Sequence, residues 1–135
     1  MITDVGHAAF RTHDLEKSLG FYALLGIHES FRLNHPDGSL MLAYLHVGGN
    51  RFIEVFPGGG PPGEPRGSFM HLCLLTDDLH AEVERLRANG VQIDIEPKLG
   101  LDHNWQAWVK DPDGNPIELM QLSEESPQRR LARGA

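Results

Sequence analysis

Cysteine is nearly absent from this sequence: Cys73 is the only one in 135 residues. An intrachain disulfide is therefore excluded, and so is a Cys-rich zinc site, so any metal would have to be held by histidine and carboxylate. Basic charge is also scarce, with 12 Lys and Arg against 19 Asp and Glu and a formal charge of −7. That excludes nucleic acid or an anionic membrane as the main partner, because both require a basic face. No apolar run approaches the roughly 20 residues of a membrane span. The opening Met1-Ile2-Thr3-Asp4 lacks the charged and apolar regions of a secretory signal, so a cytoplasmic location is expected. What the chain does have is 40% apolar residues, enough for one domain (1–135) with a real core, and eight histidines.

The informative feature is an internal repeat with an offset of 64 residues. At that offset His7 falls on His71, Asp14-Leu15 on Asp78-Leu79, Leu19 on Val83, Gly26-Ile27 on Gly90-Val91, and Ile53-Glu54-Val55 on Ile117-Glu118-Leu119. Each half begins with a strand-like run, 5–12 and 68–76. An N-cap follows, Asp14 in the first half and Asp77 or Asp78 in the second. Leu15, Leu19 and Tyr22, and likewise Leu79, Val83 and Leu86, then recur at helical spacing. Gly26 and Gly90 stand where a left-handed C-cap would end each helix. Three further strands are predicted in each half, at 28–34, 39–47 and 51–56, then at 92–96, 105–110 and 116–122. Turn-forming Pro36-Asp37-Gly38, Gly48-Gly49-Asn50 and the Asp111–Asn115 segment separate them. The expected fold is α+β: two βαβββ modules, 4–56 and 68–122. The Gly/Pro-rich stretch 57–67 reads as a linker, with a lid as the alternative. The polar tail 123–135 has no strong periodicity, and frayed ends are expected there.

Side chains alternate along a strand, so His7, Ala9 and Arg11 share one face, as do His71, Cys73 and Leu75. Glu54 and Glu118 point away from their apolar neighbours and toward the same face as their module's histidine. A carboxylate inside an apolar strand is costly unless it is compensated. Taken singly, each of these four residues is an ordinary half-exposed side chain. As a symmetric set, His7, Glu54, His71 and Glu118 suit one divalent cation: Zn, Ni, Co, Mn or Fe(II). The remaining histidines read as solvated surface. Trp105, Trp108, Phe52, Phe56, Met41 and Met120 read first as core.

His7-Ala8-Ala9-Phe10-Arg11 with Asp14–Ser18, Phe21-Tyr22 and Leu25-Gly26-Ile27 resembles the opening of the glyoxalase/bleomycin-resistance/extradiol-dioxygenase (vicinal oxygen chelate) family. Phe52–Phe56, His71–Leu74 and above all Lys110–Leu119 resemble its later strands. The resemblance implies a glyoxalase-like fold in which the two modules form a curved mixed sheet around a metal, a homodimer, a small-molecule substrate such as a thiol adduct, and a metal held by His7, Glu54, His71 and Glu118. It further implies glyoxalase I-like lyase or isomerase chemistry. The metal acts as Lewis acid toward a developing enediolate, with Glu118 or Glu54 as the base, the two unranked. Arg11 matches an arginine near the glutathione carboxylate in bacterial glyoxalase I. An asparagine found in that enzyme four residues after the first glutamate is Gly58 here.

The alternatives are a methylmalonyl-CoA epimerase, resembled at Glu96–Gly100, an extradiol dioxygenase using His7, His71 and Glu118, and a drug-sequestering protein of the bleomycin-resistance type. The epimerase ranks second among isomerases, since 39–47 carries no carboxylate to serve as its extra base.

Overall fold

The two helix signals act as the sequence predicts. Asp14 accepts a hydrogen bond from the Lys17 amide at 3.1 Å, and Asp78 accepts one from the Ala81 amide at 3.1 Å. These caps open α1 (Leu15–Leu24) and α2 (Leu79–Ala88). Both helices end in the same way. Gly26 and Gly90 take φ of +78° and +82°, and the amides of Ile27 and Val91 reach back to the carbonyls of Tyr22 and Leu86 at 3.0 Å. Only glycine enters that left-handed region without strain, and the pair of returning bonds is the Schellman closure.

The computed structural model describes residues 1, 3–63, 67 and 69–134. The chain forms two compact units, Met1–Glu64 and Pro65–Ala135. In the first, β1 (His7–Arg11), β2 (Glu29–Asn34), β3 (Leu40–Gly48) and β4 (Arg51–Phe56) pair in the order β1-β4-β3-β2. In the second, β5 (Leu72–Leu75), β6 (Ile95–Leu99), β7 (Trp105–Lys110) and β8 (Pro116–Gln121) pair in the order β5-β8-β7-β6. The first and last strands of each module run parallel, and the other pairings are antiparallel. Two four-stranded mixed sheets, each carrying one helix of its βαβ crossover, are the architecture of two βαβββ modules.

Each helix packs on one face of its own sheet. Tyr22, Ala43, Leu45, Ile53 and Val55 form the first core, and Leu79, Val83, Leu86, Ala107, Val109, Ile117 and Leu119 the second, all at 3% exposure or less. Each large aliphatic side chain so buried is worth roughly 1.5–3 kcal/mol. The closing hairpin is fastened by Asp111, whose carboxylate accepts from the amides of Asp113 and Asn115 and from the Asn115 side chain at 2.9–3.0 Å. That turn sets the register Trp108↔Glu118 between β7 and β8.

Three local expectations are corrected. The second module's opening strand is shorter than 68–76: it covers Leu72–Leu75, with His71 immediately before it and Ser68 outside the described residues. The strand expected at 92–96 lies at Ile95–Leu99, an exposed edge strand that tolerates Pro97. The tail does not simply fray: Ser126 caps a short helix, α3 (Pro127–Ala132), with Pro127 in its first turn. In the 57–67 stretch, residues 64–66 lie outside the described residues. The start of that stretch is firmly placed, since the Gly59 amide donates to the Thr12 carbonyl at 2.8 Å. No described helix is long and apolar enough to cross a membrane.

Candidate metal centre

β4 places Ile53 and Val55 against α1, so Glu54 between them turns to the other face of the sheet. The parallel register Ala9↔Glu54 sets it beside the outward face of β1. His7 Nδ1 lies 3.1 Å from Glu54 Oε2. The second unit repeats this arrangement from β8, where Ile117 and Leu119 pack inward and the register is Cys73↔Glu118. His71 Nε2 lies 3.3 Å from Glu118 Oε1. Both carboxylates are buried, at 8% and 7% exposure, whereas the imidazoles are more open. Among the described residues neither glutamate has a Lys or Arg ion-pair partner.

Those observations test the fit of a cation. Two buried carboxylates whose neighbours are an imidazole and a hydroxyl or thiol, with no Lys or Arg charge among the described residues, are poorly compensated unless a cation is supplied. The donor set of imidazole nitrogen and carboxylate oxygen is the one that borderline divalent metals accept. The sequence-derived residues are thus brought together as two pairs. No group of three or more His, Cys, Asp or Glu side chains gathers among the described residues.

Cross-strand neighbours complete each half. Tyr44 on β3 is directly opposite Glu54, and Trp108 on β7 is directly opposite Glu118. Burial, the charge of Glu54 and a hydrogen bond to it raise the Tyr44 hydroxyl above its ordinary value. Trp108 meets His71 edge-on at 4.7 Å between ring centroids, and its indole N–H donates to Gln106 at 2.8 Å. Phe31 stacks on Tyr44 at 4.3 Å, and Phe52 lies edge-on to both. Cys73 is exposed as a residue, yet burial of its thiol and the adjacent Glu118 push it up to about 12. Tyr44 was missed by sequence reasoning, although the 64-residue offset makes it the counterpart of Trp108.

Arg11 stands apart from this group. It lies four residues along β1 from His7, roughly 13 Å at strand rise. Its Nη1 donates to the Pro57 carbonyl at 3.2 Å, and its guanidinium sits 5.6 Å over the Phe56 ring.

The family model described as Glyoxalase/Bleomycin resistance protein/Dioxygenase superfamily matches residues 4–119. A protein of Synechocystis sp. named probable lactoylglutathione lyase is 32% identical over 126 residues, covering 88% of this chain and 95% of its own. The solved structure of TnmS3, an antibiotic binding protein from a Streptomyces species, superposes with a TM-score of 0.73 at 30% identity, covering 90% and 98%. A glyoxalase I variant from Zea mays gives 0.75 at 26% identity, covering 87% of this chain and 44% of that one.

Proposed function

The chain belongs to the glyoxalase/bleomycin resistance protein/dioxygenase superfamily, and on that premise we propose that it is a metal-dependent lyase or isomerase of the lactoylglutathione lyase type. His7, Glu54, His71 and Glu118 hold one divalent ion. The observation that carries this reading is the duplicated His–Glu pair, at 3.1 and 3.3 Å, with both carboxylates buried and neither ion-paired to Lys or Arg among the described residues. Relatives named lactoylglutathione lyase at about 30% identity support it.

When bound, the ion supplies Lewis acidity toward negative charge developing on substrate oxygens. The chain's own residues do the rest. Glu118 or Glu54 takes a proton from the substrate carbon and returns it to the neighbouring one, in a site whose burial raises the worth of each interaction. Tyr44 orients Glu54 through its hydroxyl, and Trp108 fixes the ring of His71. The aromatic set Phe31, Tyr44 and Phe52 offers the substrate an apolar wall. Arg11, at the strand end, pairs with a substrate carboxylate.

Metal content of the purified protein, measured beside the Glu118→Ala variant, tests the reading. About one divalent ion per chain, lost or weakened in the variant, together with hemithioacetal isomerisation, is the expected result. A protein that takes up none of Ni, Co, Zn, Mn or Fe(II) would overturn it. The second reading would then stand: sequestration of a planar drug against the aromatic set, favoured by the likeness to an antibiotic binding protein at 30% identity.

A further inference from the structure

The repeat breaks after its last strand, and the break opens a pocket. In the first unit the chain leaving β4 folds back onto β1. Gly59 lies so close there that an added Cβ would stand 2.7 Å from the Arg11 carbonyl oxygen. In the second unit the chain leaving β8 turns away into α3. A cavity of about 500 Å³ remains at the carboxyl ends of β5 and β8, lined by Leu75, Thr76, Asp77, Gln121, Leu122 and Arg129.

The polar groups of that pocket are unequally committed. Thr76 Oγ1 already accepts from the Asp78 amide at 3.2 Å. Gln121 Oε1 accepts from the Leu79 amide at 2.8 Å, which leaves its amide NH₂ as a spare donor. Arg129 Nε is buried without a hydrogen-bond partner among the described residues. Glu124 feels the Arg129 charge, but its own hydrogen-bonded partner is Arg133. Asp77 lines the same pocket without forming an ion pair to Arg129. A buried guanidinium N–H without an acceptor is expensive, and a planar fork of donors matches a carboxylate.

We propose that this pocket is a carboxylate-binding site, in which Arg129 and the Gln121 amide hold the head group and Leu75 and Leu122 line its apolar stem. A monoanion suits the pocket better than a phosphate dianion, because Asp77 repels the second charge while a single arginine is left to neutralise the first. Leu75 shares its strand face with His71 and Cys73. The pocket therefore adjoins the face that carries the second His–Glu pair, and it occupies in the second unit the strand end that Arg11 occupies in the first.

The test uses full-length, metal-free ¹⁵N-labelled protein, so its outcome is separate from that of the metal-dependent reading. Hexanoate is titrated while the Arg129 Nε–H signal and the amides of Thr76 and Leu122 are followed, with hexanol and inorganic phosphate as comparison probes. Saturable shifts with hexanoate, absent with hexanol and weaker with phosphate, are expected. Arg129→Met should bind at least tenfold more weakly, and Arg129→Lys, which keeps charge and stem but loses the fork, at least threefold. Circular dichroism checks that both variants are folded. If Arg129→Met fails to fold, the wild-type Nε–H shift and Arg129→Lys decide. No saturable shift at Arg129, or undiminished binding in the folded variants, would overturn the site. Tighter binding of phosphate than of hexanoate would overturn the carboxylate assignment.

Discussion

Replacing Glu118 by methionine should stabilise the metal-free protein and remove the stabilisation that metal confers. Glu118 is 7% exposed in a strand whose neighbours Ile117 and Leu119 are at 0% and 3%, and its ion-pair partner is the imidazole of His71 at 3.3 Å. Methionine has nearly the same length and volume and carries no charge to desolvate. Replacing a whole buried ion pair by apolar side chains is neutral or stabilising by about 1–4 kcal/mol, whereas removing one partner is costly when it strands a buried charge. Here only the carboxylate is removed, and the imidazole left behind, 32% exposed, is solvated and not stranded, so the gain falls at the lower end, about 1–2 kcal/mol. For a domain of this size that corresponds to a rise in Tm of roughly 3–8 °C. In the native protein, a metal at about 100 times its Kd adds about 2.7 kcal/mol. The two proteins should therefore change order. In EDTA the Glu118→Met variant melts above wild type, and with saturating Ni or Zn it melts below. Thermal melts by circular dichroism at pH 8, with and without metal, read this directly. A variant that melts below wild type in EDTA, or one that keeps the full metal-dependent increment, would refute the reasoning.

Other expectations come from single contacts. Gly59→Ala puts a Cβ 2.7 Å from the Arg11 carbonyl oxygen and 2.8 Å from the Thr12 carbonyl carbon, both backbone atoms. It should cost about 1–3 kcal/mol in urea unfolding, and an unchanged midpoint would show the linker start to be loose. Asn104 is fully buried and ties Asp102, Ser123 and Gln128 together through bonds of 2.9–3.1 Å. Asn104→Ala should lose about 2–3 kcal/mol, chiefly by orphaning the Ser123 amide. Hydrogen bonds from Gln128 and Asn104 hold the Asp102 carboxyl below its ordinary value. It stabilises the fold above its unfolded value, and that contribution is lost as pH falls through the folded one. Asp102→Asn should therefore flatten the acid limb of a stability–pH curve. With its thiol pushed up to about 12, Cys73 should alkylate slowly with iodoacetamide at pH 8.5 despite its exposed position. It should carry roughly a thousandfold less thiolate than an ordinary cysteine, and Glu118→Gln should speed the reaction. Ordinary alkylation kinetics in wild type would contradict the Cys73–Glu118 contact.

The sequence by itself determined the modular plan. Helix caps, left-handed glycines and inward-facing apolar residues are local or periodic signals, and a 64-residue repeat writes each of them twice. The pairing of each histidine with its own glutamate was legible for the same reason, since side-chain alternation puts both on one face. Less visible were features that depend on strand pairing or on very short elements. α3, six residues long, is too short to show a period, and only Ser126-Pro127 announces it. The edge strand β6 lies a few residues beyond its expected place because an exposed edge carries little burial pattern to fix its register.

Only the tertiary structure decided that Tyr44 stands opposite Glu54, that Trp108 and Cys73 flank Glu118, and that Arg129 turns into a pocket at the end of β5 and β8. The physical reason is common to all of these. Register between strands distant in sequence, and the direction in which the chain leaves its last strand, are set by packing over the whole unit and not by the residues concerned.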